Sequence, residues 1–214
     1  MQDHICYIVG AGENYELDFL IRSGDYVIAA DGGLIHLQNK GIMADLIIGD
    51  FDSLPQIPSH SNIINLDKDK DYTDTLAAIY EGRSKGYKLF YIYGGAGGRI
   101  DHTIANIQAV AFLSQNKMRG YLFDQSYVIT AITNESICFN SSCSGYISIF
   151  SCSDKSKGVS IKGLKYKLEN YVINNTFPIG VSNEFIGVNS MITVEDGTLI
   201  ITFPRKCEEK IYYI

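Results

Sequence analysis

Apolar and polar positions follow two different rhythms along the 214-residue chain, and the change falls near residue 124. In the first half, compact apolar runs stand at 5–9, 26–30, 46–48, 63–66 and 89–93. Runs of this kind predict strands covered on both faces, as in a parallel sheet. Stretches with helical spacing lie between several of them. Residues 73–85 place Leu76, Ile79 and Tyr80 on one face and stop at Gly86, a natural helix-end residue. Residues 101–115 place Ile104, Ile107 and Ala111 near one stripe. Alternation of strand and helix predicts an α/β domain with a largely parallel sheet.

From about residue 120 the runs become short and rich in β-branched and aromatic residues. They stand at 121–123, 127–133, 136–139, 146–150, 159–161, 191–194 and 199–203, separated by Ser, Asn and Gly. Asp196-Gly197 between the last two predicts a hairpin turn. This half predicts an all-β sandwich or barrel domain. We place the boundary so that 1–124 is the α/β domain and 125–214 the β domain.

Composition narrows the classes. The net charge is −6 and no basic cluster occurs, which speaks against a nucleic-acid partner. No apolar run reaches the ~18–20 residues of a membrane span. The opening MQDHICYIVGAG has neither a basic stretch nor a cleavage site, so no secretory signal is expected. Five cysteines without a C-x-x-C pair suit reduced thiols in the cytoplasm. Cys143 and Cys152 are the pair that neighbouring strands could align.

The charge itself is uneven. Twelve of the fifteen aspartates lie in residues 1–107, where there are only three glutamates. Asp31 follows the run at 26–30. Asp50 and Asp52 follow the run at 46–48. Asp67, Asp69, Asp71 and Asp74 lie before or at a predicted helix start, and Asp101 follows the loop GGAGGR at 94–99. These are strand C-terminal ends and helix N-termini, which share one rim of an open α/β sheet, where ligands bind. Two carboxylates ~4 Å apart repel by ~4 kcal/mol at an effective dielectric of ~20. Several on one rim therefore call for a cation, and an oxygen-only set suits Mg²⁺ with phosphate oxygens. The simpler role of aspartate is a cap or turn residue. Asp18, Asp25 and Asp196 read that way, and Asp71, Thr73 and Asp101 admit both roles. The glycine loop has no G-K-[ST] and no dinucleotide fingerprint. It offers amides beside a helix N-terminus, and Arg99 adds a bidentate phosphate donor. His102 and Asn106 are four apart and share a helix face.

Taken in order, DGG (31–33), GDFDS (49–53), DKDYTDTLAA (69–78), GGAGGRIDH (94–102) with Asn106, GLKYKL (163–168) and VSN (181–183) resemble the thiamine pyrophosphokinase family. The blocks cover almost the whole chain. The resemblance implies transfer of the pyrophosphoryl group of ATP to the thiamine hydroxyl, giving thiamine diphosphate and AMP, with Mg²⁺, in a cytoplasmic homodimer. It implies Asp50, Asp52 and Asp74 as metal ligands. Asp31, Lys70, Asp71, Thr73, Arg99 and His102 would serve ATP. Asp101, with Asp74 and Arg99, would stand at the reacting groups, as orienter or proton acceptor for the hydroxyl. Asn106, Tyr166, Ser182 and Asn183 would serve thiamine. The chain has no Trp, so Tyr166 is the aromatic that could replace an indole against thiamine; an ordinary strand aromatic is its other role. Leu34-Ile35 stands where the family often has Ala-Asn. A pyrophosphokinase acting on a hydroxymethyl pterin would share the nucleotide half but not VSN. A non-catalytic thiamine binder would not need the full acidic set.

Overall fold

The computed structural model describes residues 4–13, 16–51, 60–67, 69 and 71–214. Asp52 and Lys70 lie outside the described residues. The chain separates into two compact units, one of residues 1–109 with 118–125 and one of 110–117 with 126–214.

The first unit contains β1 (Ile5–Val9), β2 (Tyr26–Ala30), α1 (Gly33–Asn39), β3 (Leu46–Gly49), β4 (Ile63–Asn65), α2 (Asp74–Ser84), β5 (Leu89–Tyr93), most of α3 (Ile100–Gln115) and β6 (Arg119–Phe123). Its strands run in the order β6-β5-β1-β2-β3-β4. Each neighbouring pair is parallel. Parallel pairing explains the unbroken apolar runs: Ile8, Ile28, Ile47, Phe90 and Ile92 are wholly or almost wholly buried because both sheet faces are covered. The order also fixes the ligand-binding point. From β1 the chain winds outward through β2, β3 and β4, then returns to β5 on the other side of β1. The crevice between the C-terminal ends of β1 and β5 is thus the topological switch point, where open α/β sheets bind ligands.

Helix α1 was not expected. It has only seven residues and two core-facing leucines, Leu34 and Leu37, too short for a periodic signal. Helices α2 and α3 match the predicted spans closely.

The second unit contains β7 (Tyr127–Thr133), β8 (Ser136–Phe139), β9 (Tyr146–Ser151), β10 (Lys155–Lys162), β11 (Leu168–Asn174), β12 (Gly180–Glu184), β13 (Ser190–Thr193), β14 (Thr198–Pro204) and β15 (Ile211–Tyr213). They form two antiparallel arrays, β12-β9-β14-β7 and β11-β10-β13-β8-β15. Phe139 of one array meets Phe203 of the other edge to face at 5.2 Å, inside a wholly buried core. The last turn of α3 joins this unit, with Ser114 and Thr133 hydroxyls 2.9 Å apart.

One expectation changes. Asp196-Gly197 does not close a hairpin, because β13 and β14 lie in different arrays. The turn carries the chain from one array to the other, with Gly197 at φ 126 and Asp196 bridged to Lys157. The cysteines follow the expectation of reduced thiols, and Cys143 and Cys152 do not pair. All five cysteines are free thiols, and Cys152 is exposed. Burial, with a hydrogen bond to Cys207, pushes the Cys143 thiol up to about 12. Among the described residues, no helix is long and apolar enough to cross a membrane.

Candidate active site

A cleft of about 630 Å³ opens at the switch point of the first unit. Its floor is backbone. Gly10 donates to the Tyr93 carbonyl at 2.8 Å and Gly12 to the Gly94 carbonyl at 2.9 Å. A Cβ on Gly12 would lie 2.5 Å from the Gly94 oxygen, and one on Gly33 only 1.8 Å from the Val9 oxygen. Side chains are therefore excluded where the two loops and α1 converge, and a ligand can approach main-chain amides closely.

Asp31 ends β2 and lines this cleft. Its amide donates to the Ile48 carbonyl at 2.8 Å, and its φ is 49. Phe51, between Asp50 and Asp52, is buried and has φ 58. Non-glycine residues held at positive φ cost about 1–3 kcal/mol each and persist where the surroundings dictate them. The ends of β2 and β3 lie side by side, since a Cβ on Gly49 would fall 3.0 Å from the Asp31 Cα. Asp31 and Asp50 thus leave adjacent strands in the same direction.

Helix α2 starts at the same rim. Thr73 is its N-cap, and its hydroxyl accepts from the Leu76 amide at 3.2 Å. Both Thr73 and Asp74 line the cleft. A carboxylate in a first helical turn is favoured by the helix dipole. Asp71 is exposed just ahead of the cap and does not line the cleft.

The glycine loop supplies the opposite wall. Gly94, Gly97 and Gly98 have φ of 63, 78 and 63, positions that side chains rarely take. Arg99 lines the cleft and forms a forked pair with Asp101, at 3.2 and 2.6 Å. The Arg99 guanidinium holds the Asp101 carboxyl at about 2, well below the usual carboxylate range. Both side chains are largely exposed, so the pair contributes little to stability. His102 and Asn106 also line the cleft. Asn106 is buried, and its amide nitrogen donates to the Gly95 carbonyl at 2.7 Å.

The donor chemistry around Asp31, Asp50 and Asp74 is carboxylate oxygen, which fits a hard divalent cation and not a soft one. Among the described residues, no three His, Cys, Asp or Glu side chains are grouped as an ion site. The expected ligand set includes Asp52, outside those residues.

The second unit gathers the other expected residues around one strand edge. Asn183 is buried and clamps Tyr166: its Oδ1 accepts from the Tyr166 amide at 2.9 Å, and its Nδ2 donates to the Tyr166 carbonyl at 2.7 Å. Tyr166 is left 61% exposed, with the Lys165 ammonium 5.8 Å from its ring centroid. Ser182 is exposed, with φ 59, and its amide donates to the Ser148 hydroxyl at 3.0 Å. The clamp shows that Asn183 serves the backbone of Tyr166, whatever else it meets.

Sequence reasoning missed part of the cleft. Gly10, Ala11, Gly12 and Glu13 line it, as does His36 of α1. The Gly-Ala-Gly directly after the first apolar run was an available signal. His36 had none, because its helix was not visible.

Two family models match the chain. The thiamin pyrophosphokinase catalytic domain covers residues 17–122, and the thiamin pyrophosphokinase vitamin B1 binding domain covers residues 134–199. The thiamine pyrophosphokinase of Bacillus subtilis is 27% identical over 181 residues, 81% of this chain and 85% of that protein. Thiamin pyrophosphokinase 1 of Caenorhabditis elegans is 27% identical over 210 residues, 90% of this chain and 84% of that protein. The fold is that of the crystal structure of the Bacillus subtilis enzyme, with a TM-score of 0.84 at 24% identity, covering 94% of this chain and 99% of that one. The thiamin pyrophosphokinase structure from Geobacillus thermodenitrificans gives 0.81 at 23% identity, covering 95% and 99%.

Proposed function

The chain belongs to the thiamine pyrophosphokinase family, and on that premise we propose how its residues divide the work. The reaction is ATP + thiamine → AMP + thiamine diphosphate. The thiamine hydroxyl oxygen bonds to the β-phosphorus, the bond from that phosphorus to the α–β bridging oxygen breaks, and AMP leaves. Little covalent chemistry falls to the protein, so positioning and charge neutralisation dominate.

The observation that carries this reading is the cleft at the switch point, where glycine backbone, Asp31, Thr73, Asp74, Arg99 and His102 converge. The triphosphate would lie over the glycine amides and the start of α2, with Arg99 and Lys70 as cationic contacts. Asp50, Asp52 and Asp74 would hold Mg²⁺, with Asp31 and Asp71 nearby. When bound, the ion supplies neutralisation of the phosphate charge.

Asp101 orients the thiamine hydroxyl. While Arg99 holds it at about 2 it keeps a proton poorly, so orientation suits it better than proton storage. The hydroxyl proton would leave to water or, where Arg99 pairs with the triphosphate instead, to Asp101. Tyr166 and Ser182 would meet thiamine, with Asn183 holding Tyr166 in place. The chain would work as a homodimer in the cytoplasm, as a 1–124 nucleotide domain and a 125–214 thiamine domain.

The test is product analysis. Purified protein with ATP, thiamine and Mg²⁺ should give AMP and thiamine diphosphate in equal amounts. ADP with thiamine monophosphate, or no turnover, would overturn the reading. A hydroxymethyl pterin offered in place of thiamine should give none.

A further inference from the structure

Asn106 has a role that its place beside the cleft does not by itself suggest. It stands in the second turn of α3 and is 3% exposed. Its Nδ2 reaches back eleven residues to the Gly95 carbonyl, at 2.7 Å. The fit is close: a Cβ on residue 95 would lie 3.0 Å from that nitrogen and 2.8 Å from the Leu122 Cδ1. Gly95 belongs to a loop whose glycines allow many conformations, three of them at positive φ. One end of the loop is held where the Gly94 carbonyl accepts the Gly12 amide at 2.9 Å. The other end enters α3, where the Thr103 amide donates to the Arg99 carbonyl at 3.2 Å. Asn106 closes the span between them into a ring that runs from Gly95 through Arg99 and Asp101 and back through the helix.

We propose that Asn106 is a positioning residue: it holds the glycine loop so that Arg99 and Asp101 stand at the reacting phosphate and hydroxyl, and it does not grip thiamine. The proposal rests on the pyrophosphoryl-transfer reading above. A carboxamide suits the place, because it donates to a buried carbonyl without bringing charge into it. A carboxylate would face the Gly95 oxygen as a second acceptor until protonated. A leucine keeps the branched outline at a somewhat larger volume and offers no donor. A displacement of about 1 Å at reacting groups costs about 100-fold in rate.

Asn106→Leu and Asn106→Asp are compared with the unaltered chain by steady-state kinetics in both substrates. Hydrogen–deuterium exchange across residues 94–99 is followed on the same proteins. In Asn106→Leu, kcat is expected to fall about 100-fold, with KM for thiamine within about threefold of the original. The loop amides should exchange faster. Asn106→Asp should be poor near neutrality and recover toward acid, relative to the unaltered chain at each pH, because the protonated carboxyl regains a donor. A raised thiamine KM with kcat and loop exchange unchanged would overturn the proposal and make Asn106 a thiamine contact. If Asn106→Leu does not fold, the pH profile of Asn106→Asp decides: recovery supports the proposal and a flat profile overturns it. If the unaltered chain turns over no thiamine, the functional reading fails, and the exchange comparison still decides whether Asn106 holds the loop.

Discussion

The two rims of the parallel sheet in the first unit carry the same residue type and use it differently. At the rim where strands begin, Asp25 accepts from the Ile5 amide at 2.8 Å and the Arg22 amide at 2.9 Å. Asp45 accepts from the Val27 amide at 2.8 Å. At the rim where strands end, Asp31 and Asp74 face the cleft, and Asp101 pairs with Arg99. The difference follows from strand polarity. Strand beginnings present N–H groups, which a short carboxylate satisfies. Strand ends present carbonyl oxygens, which repel it. A carboxylate there turns to helix amides, a guanidinium or a cation. One rim thus spends its carboxylates on backbone amides, and the other turns Asp31 and Asp74 to the cleft, as the proposed function requires.

Removing charge from each rim should separate the two roles. The largest effect is expected for Asp74→Asn, which should lower kcat about 10³-fold if the carboxylate holds the ion that neutralises the phosphates, as proposed. Its thermal melting should stay close to that of the unaltered chain. Asp25→Ala is the converse. Its side chain is fully covered and bonded to two amides and Arg22, so its loss should cost about 2–4 kcal/mol in urea unfolding. The protein that remains folded should keep its turnover number.

The acid limb sharpens the contrast. Burial alone would raise the Asp25 carboxyl, but the amides of Ile5 and Arg22 and the Arg22 guanidinium outweigh it and lower it below its ordinary 3.8. A carboxylate held low in the folded state stabilises it fully above the unfolded value and loses that contribution as pH falls through the folded one. The stability gap between the unaltered chain and Asp25→Asn should therefore be constant at neutral pH and shrink below about pH 4. A gap that widened in acid would contradict the assignment. The smallest effect is expected for Thr73→Ala, about 1 kcal/mol of stability from the lost cap, measured by the same urea titration.

Legibility in the sequence tracked burial. Strands β1, β2, β3 and β5 are covered on both faces, so their apolar runs marked them closely. Strand β11 has one buried residue in seven, and β12 reads GVSNE, so neither shows alternation and neither was expected. Asp196-Gly197 was read correctly as a turn and wrongly as a hairpin, because a turn signal does not say which strands pair. In the cleft, Asp31, Asp74 and Arg99, expected from charge and position, and Thr73 and His102, implied as ATP contacts by the resemblance, are brought together. The Gly10–Glu13 segment was missed although Gly-Ala-Gly after the first apolar run signalled a close backbone approach; which strand end it would face depends on strand order. The backbone duties of Asn106 and Asn183 were likewise invisible, since a carboxamide can serve a ligand or a main-chain carbonyl equally well.

The most direct measurement is calorimetric binding of a non-hydrolysable ATP analogue, with Mg²⁺, to the unaltered chain, Asp31→Asn and Asp25→Asn, each under conditions where it is folded. Asp31→Asn should weaken binding about tenfold or more, a change of about 1.4 kcal/mol, with its melting unchanged. Asp25→Asn should bind as the unaltered chain does and melt lower. Equal losses of affinity in the two variants, or full affinity in Asp31→Asn, would contradict the division of the aspartates between the two rims.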